Sequence, residues 1–148
     1  MTNFQLKFGE PKHGWLPVDI RLPGDKIIFE SSDVPNNPIA DLIEALWKAS
    51  RGETAEVLWH EEPGGYIFSI KPELTGISIL ICSIEDIDYV LGSGSRVERA
   101  SFRGSPNDTL LPMWLAINEF AAHNFEEPHW PTTDYGELDK LRSSIEQM

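Results

Sequence analysis

The sequence contains one cysteine, few basic residues and no long apolar run. Cys82 has no second cysteine with which to form an intramolecular disulfide, and its place in the apolar segment 77–84 predicts a small buried side chain. No segment approaches the roughly 18 apolar residues that a membrane-spanning helix requires. The first residues also lack the basic and apolar segments of a secretory signal. We therefore expect a cytoplasmic protein that does not enter a membrane.

The scarcity of basic residues is accompanied by an excess of acidic ones. The 24 aspartates and glutamates outnumber the 12 lysines and arginines, which gives a formal net charge of −12. A field of this sign repels phosphate backbones and anionic membranes, so we expect no nucleic-acid ligand. It attracts partners with a basic surface, although an acidic surface also simply keeps a protein soluble.

Length and apolar content limit the architecture. The chain has 148 residues, close to the commonest domain size, and 41% of them are hydrophobic. A chain of this kind can build one core but is short for two. We predict a single domain that spans residues 1–148.

Alternating apolar and polar residues predict a sheet. The alternation is clear in segments 4–8 and 16–22, and Pro23-Gly24 then favours a turn into a returning strand. Segment 77–82 is apolar on both faces, as in a central strand, whereas the charged segment 96–103 suits a sheet edge. We predict an α+β fold with a largely antiparallel sheet of six or seven strands.

Two main helices are predicted to cover one face of this sheet. The first, 38–51, begins with Asn37 as its cap and carries an apolar stripe. The stripe consists of Ile39, Leu42, Ile43, Leu46 and Trp47. The second, 109–124, has Asp108 or Thr109 as its cap and Pro112 in its first turn. A short helix over 137–146 ends the chain.

No group of residues has the spacing of a known catalytic or metal site. His123, Glu126, Glu127 and His129 are residue types that bind zinc, but Pro128 and the six-residue separation of the histidines disfavour a shared metal. His60 precedes Glu61 and Glu62, yet no nucleophile accompanies them. We expect no catalytic residues, no metal and no cofactor. A hydrolase that uses His60 or His123 with nearby carboxylates is the less favoured alternative.

The candidate binding residues are acidic turns and tryptophans. Loops concentrate binding residues, and an amphipathic indole ring is a frequent anchor at protein interfaces. The predicted partner-binding residues are Trp59, Glu61, Glu62, Glu126, Glu127 and Trp130. A second interpretation is a small-molecule or peptide-binding module in which Trp15, Trp59 and Trp130 line a groove.

Three landmarks follow one another along the chain: Gly14-Trp15-Leu16-Pro17-Val18, Val34-Pro35-Asn36-Asn37-Pro38 and Trp59-His60-Glu61-Glu62-Pro63-Gly64. Their order resembles a group of small acidic bacterial proteins of unassigned activity, which are similar to the immunity proteins that accompany polymorphic toxins. The resemblance implies a non-catalytic inhibitor that neutralises a partner toxin through an acidic surface. It leaves the oligomeric state open.

Overall fold

A computed structural model describes residues 3–85 and 96–148, which form seven strands and three helices. The strands are β1 (Gln5–Phe8), β2 (Trp15–Leu22), β3 (Asp25–Ser32), β4 (Ala55–His60), β5 (Gly65–Glu73), β6 (Gly76–Ile84) and β7 (Val97–Gly104). The helices are α1 (Pro38–Ser50), α2 (Pro106–Ala122) and α3 (Leu138–Glu146). The predicted α+β class is confirmed.

The strands form one antiparallel sheet in the order β1-β2-β3-β4-β5-β6-β7. The predicted turn between β2 and β3 is present, with Leu22 opposite Asp25 and Gly24 at a φ of +77°. In the middle of the sheet, β3 and β4 pair through Ser32 and His60 alone among the described residues. The sheet therefore consists of two well-paired halves, β1–β3 and β4–β7, with a narrow join between them.

Helix α1 begins as predicted. The Asn37 side chain accepts hydrogen bonds from the backbone N–H groups of Ile39 and Ala40, and Pro38 occupies the first turn. The buried face, however, is rotated from the predicted stripe: it contains Ala45 and Ala49, while Ile43 and Trp47 are only half-buried. The small alanine side chains allow α1 to lie close to β4.

Helix α2 begins one turn earlier than predicted, because its cap is Ser105. The Ser105 hydroxyl accepts a hydrogen bond from the N–H of Asp108 at 3.2 Å, and the hydroxyl of Thr109 donates to the Ser105 carbonyl at 2.8 Å. Ser105 followed by Pro106 is a stronger start signal than Asp108 or Thr109. The predicted cap is therefore wrong, and Pro112 lies inside the helix rather than in its first turn.

The core lies between the sheet and the helices. Helix α1 packs on β4 and β5, α2 packs on β1, β6 and β7, and α3 packs on both longer helices. Phe4, just before β1, stacks on Phe102 of β7 with ring centroids 6.0 Å apart. The sheet is thus curved enough for its two edge strands to contribute to one core.

Cys82 is buried as predicted, but not in that core. Its side chain is 5% exposed and shares the opposite side of the sheet with Ile67 and Ile84, outside the main cluster of buried residues.

The charged edge strand is confirmed as β7. The Gly92-Ser93-Gly94-Ser95 segment lies outside the described residues.

Candidate protein-binding surface

Several distant loops meet where the two halves of the sheet join. Strands β3 and β4 are antiparallel and meet at their last residues, Ser32 and His60. Strands β1 and β6 also end near this join, and β2, β5 and β7 start near it. The loops found there are 9–14, 33–37 and 61–64, together with Glu85 after β6. Helix α2 also ends near this join and adds residues 123–130, of which His129 contacts loop 9–14.

Four contacts join these loops to one another. The N–H of Gly14 donates to the carbonyl of His129 at 2.9 Å, and the N–H of Asp33 donates to the carbonyl of Gly14 at the same distance. His60 Nδ1 lies 2.7 Å from the Val34 carbonyl oxygen. The His13 and His129 rings also pack with centroids 5.0 Å apart. Loops that are far apart in sequence thus form one continuous surface.

This surface is strongly acidic, and we call it the acidic end. Its seven described carboxylates are Glu10, Asp33, Glu61, Glu62, Glu85, Glu126 and Glu127. None of the seven forms an ion pair with another residue in the ranges 3–85 and 96–148. Asp86 and Asp88, which the sequence places beside Glu85, lie outside the described residues.

The end of strands β4–β7 that lies away from this surface is different, because ion pairs form there. Arg51 pairs with Glu53 at 3.4 Å, and Arg103 pairs with Glu73 at 3.7 Å. The acidic end, by contrast, carries one lysine, Lys12, and no arginine beside its seven described carboxylates.

Glu61 is the carboxylate of the acidic end with a clear electrostatic perturbation. Partial burial raises the pKa of Glu61. Burial also raises the pKa of nearby Tyr66, and the negative charge of Glu61 adds to that effect. A positive group placed beside Glu61 would lower the pKa of Glu61, because it would stabilise the ionised carboxylate.

The predicted tryptophan anchors do not lie on this surface. Trp59 and Trp130 are both completely buried, and Trp59 packs among Phe8, Phe29 and Phe68. Their role as exposed anchors is therefore wrong. The alternation of side chains along β4 directs Trp59 into the core. Trp130 packs against Phe120, and the two rings meet edge-on with their centroids 6.0 Å apart. The indole Nε1 atoms of both tryptophans lack a described hydrogen-bond partner.

The groove predicted from Trp15, Trp59 and Trp130 is not formed, since only Trp15 is partly exposed. An open groove of about 500 Å³ lies instead beside α1, with Ile43, Trp47 and Thr133 in its walls. Ile43 and Trp47 are the two stripe residues that the rotation of α1 leaves half-buried. The sequence signal for this groove was that the apolar stripe of this helix includes Ile43 and Trp47.

The histidines are engaged in packing and main-chain contacts. Both ring nitrogens of His60 face carbonyl oxygens, of Val34 at 2.7 Å and of Pro63 at 3.3 Å. The His123 ring stacks on Phe125, and His129 contacts His13. Within the described ranges, no group of three or more histidine, cysteine or acidic side chains is arranged to hold a metal ion.

Comparisons with protein-family models, curated proteins and solved structures gave no significant match to this chain. The resemblance to immunity proteins stays a prediction. None of the helices in the described part of the chain is both long and apolar enough to cross a membrane.

Proposed function

We propose that the protein binds another protein through the acidic end and holds it inactive, as a non-catalytic inhibitor of the immunity type. The observation that carries this proposal is the gathering of seven described carboxylates from five loops onto one surface, without an ion pair among them to residues in the described ranges. The partner expected for such a surface is a protein with a basic patch, such as a toxin that binds an anionic substrate.

The charge distribution supports binding by electrostatic complementarity. Uncompensated charge on one surface speeds encounter with a basic partner and disfavours acidic ones. The hydrogen bonds that join loops 9–14 and 33–37 to His129 and His60 hold the surface in place before binding. A preformed surface loses less conformational entropy on association, which favours affinity.

The surroundings of the histidines favour a binding role over the hydrolase alternative. A general base needs a free ring nitrogen directed at a substrate. Both ring nitrogens of His60 face main-chain carbonyls, so neither is directed at a substrate. The contacts of His60 are best explained by a structural role, in which the side chain connects loop 33–37 to loop 61–64.

Co-expression with the product of the adjacent gene tests the proposal. We expect the protein to abolish that product's toxicity and to form a complex with it. The association rate should fall steeply between low and physiological salt, whereas the dissociation rate should change less. The oligomeric state of each component is measured in the same experiment.

Charge-reversal variants locate the surface. The double variants Glu61→Lys with Glu62→Lys, and Glu126→Lys with Glu127→Lys, should each slow association. The matched control is Glu30→Lys with Glu44→Lys, which makes the same change in net charge outside the acidic end and should have a smaller effect. If the neighbouring gene product remains toxic and no complex forms at low salt, the proposed function is wrong. Equal slowing by all three pairs would reject the acidic end as the contact surface.

A further inference from the structure

Strand β1 is an edge of the sheet whose outer side has no described strand beside it. The N–H of Gly9 donates to the carbonyl of Pro17 at 3.0 Å, so residues 9 and 17 form a hydrogen-bonded pair. Antiparallel pairing alternates, so the backbone groups of Lys7 also face β2. The N–H and C=O groups of Leu6 and Phe8 consequently point away from β2. They are available to a further strand.

A groove runs between this edge and α2. It consists of two adjoining cavities of about 320 Å³ and 160 Å³, and Ala116 and Glu119 line both of them. On the strand side the lining passes from Leu6 in the larger cavity to Phe8 in the smaller one. The groove therefore follows the whole length of β1.

The chemistry of the groove changes along its length. The larger cavity has Pro112 and Leu115 on the helix side, and Leu115 is 47% exposed although it is apolar. The smaller cavity has aromatic walls, including Phe120 and Phe125, and Glu10, Glu119 and His123 also line it. Neither glutamate forms an ion pair with a described residue.

We propose that this groove binds an extended peptide segment of another protein, which adds to the sheet as a strand beside β1. An apolar side chain of the segment occupies the cavity at Leu115. A lysine or arginine of the segment enters the cavity at Phe125, where Glu119 and Glu10 complement its charge and the aromatic rings contact its stem. A strand added to an open edge beside a helix is an established mode of peptide recognition.

Helix and strand geometry set the spacing of these two side chains. Leu115 and Glu119 are four residues apart, which corresponds to about 6 Å along the helix axis. Two residues of an extended strand span about 6.6 Å. The segment should therefore carry its apolar and basic residues two positions apart, on the same face of the strand.

Charge also argues for a foreign segment over a second copy of this chain. Two copies paired through β1 would bring together surfaces that each carry Glu10 and Glu119, in a protein of formal charge −12. Like charges placed together oppose that association. A basic segment reverses the sign of the interaction.

Selection from a phage-displayed library of random nonapeptides tests the proposal without an identified partner. We expect enriched peptides to contain an apolar and a basic residue two positions apart. Binding of a synthetic enriched peptide should slow amide hydrogen exchange at Leu6 and Phe8, whose N–H groups gain a partner. Exchange at Lys7, which already faces β2, should change much less.

Two variants on the exposed face of α2 provide the specificity test. Glu119→Lys and Leu115→Asp should each weaken the peptide about tenfold, whereas Glu44→Lys beside the other groove should have little effect. Methylation of the peptide nitrogens that face β1 should also weaken binding about tenfold, because each loses a backbone hydrogen bond. Methylation of the peptide nitrogens that point away from β1 should not weaken binding.

Three outcomes would overturn the proposal. The first is a failure to enrich any peptide, and the second is enrichment of peptides that bind Glu119→Lys and Leu115→Asp as tightly as the wild type. The third is a dimer, seen by sedimentation, in which the amides of Leu6 and Phe8 are already protected. The groove shares Glu10 with the acidic end, but Glu119 and Leu115 lie outside it, so variants at these two positions separate this test from that of the proposed inhibitor function.

Discussion

The Nδ1 atom of His60 lies 2.7 Å from the carbonyl oxygen of Val34, and this contact joins the β4–β5 turn to the loop between β3 and α1. The same residue provides the backbone pairing of β4 with Ser32 of β3. Its Nε2 atom faces the Pro63 carbonyl at 3.3 Å. His60 therefore connects the two halves of the sheet and also orders the turn that carries Glu61 and Glu62.

Replacement of His60 should reduce stability rather than remove a chemical activity. His60→Ala leaves the Val34 carbonyl without its side-chain partner and creates a cavity, so we expect a loss of about 1 to 3 kcal/mol in the free energy of unfolding. Urea unfolding measures this loss. His123→Ala, in which an exposed ring is removed, is the control and should change stability by less than about 0.5 kcal/mol. A His60→Ala protein as stable as the wild type would show that the contacts of the His60 side chain contribute little to stability.

The core predicted from the apolar pattern leads to a second set of variants. Leu46, Ile79 and Trp114 are all buried, and the Trp114 indole N–H also donates to the Leu138 carbonyl at 2.7 Å. Truncation of each to alanine should cost about 2 to 5 kcal/mol. Trp114→Ala should in addition loosen the packing of α3. Faster amide hydrogen exchange within α3 would detect this change.

The control for these core variants is Glu44→Ala. Glu44 is exposed and makes a 3.6 Å ion pair with Lys48, so its loss should change the unfolding free energy by less than about 0.5 kcal/mol. A core variant with an equally small effect would mean that its side chain is not closely packed.

Local signals in the sequence predicted most of the fold. The β2–β3 turn at Gly24 and the cap at Asn37 are confirmed because their conformations depend on neighbouring residues alone. The cap of α2 was missed because Ser105, Asp108 and Thr109 are all acceptable cap residues, and only the structure shows which hydroxyl receives the hydrogen bond.

The candidate site was harder to predict because it depends on contacts between distant residues. Trp59 and Trp130 were assigned to the surface from polar neighbours in sequence, whereas the packing of Phe120 and Phe68 around them decides their burial. The gathering of the acidic turns depends on the join at which β3 and β4 meet at their last residues, Ser32 and His60. A simple antiparallel meander would place the turns after β3 and β4 at opposite ends of the sheet, so the strand pattern in the sequence does not predict this gathering.

Two carboxylates should give opposite contributions to the pH dependence of stability. A hydrogen bond from Arg96 lowers the pKa of Glu56, so this pair stabilises the fold above the unfolded pKa, near 4.5, and is lost as pH falls through the lowered value. Burial raises the pKa of Glu61, so its contribution is fully present below the unfolded pKa and is lost as pH rises through the raised value.

Urea unfolding between about pH 3 and pH 7 separates the two contributions. Glu56→Gln should lower stability at pH 7 by at most about 1 kcal/mol, since both partners are partly exposed, and the difference from wild type should shrink at pH 3. Glu61→Gln should match or slightly exceed the wild-type stability at pH 7. A stability loss on Glu61→Gln at pH 7 would contradict the direction of its pKa shift.

The last prediction concerns the destabilising effect of the negative charge gathered at the acidic end. Mutual repulsion among the carboxylates of the acidic end opposes folding, and dissolved salt screens it. Raising the ionic strength from about 0.01 M to 0.5 M should therefore increase the free energy of unfolding. Glu62→Lys and Glu127→Lys should each increase stability at low salt, and each should reduce the salt dependence. The same substitutions should slow association with a basic partner, because the repulsion within the free protein and the attraction to the partner have the same source. Measuring both stability and association rate distinguishes a binding surface from charge that serves solubility alone. Variants that are more stable but associate at an unchanged rate would exclude the acidic end as a functional surface.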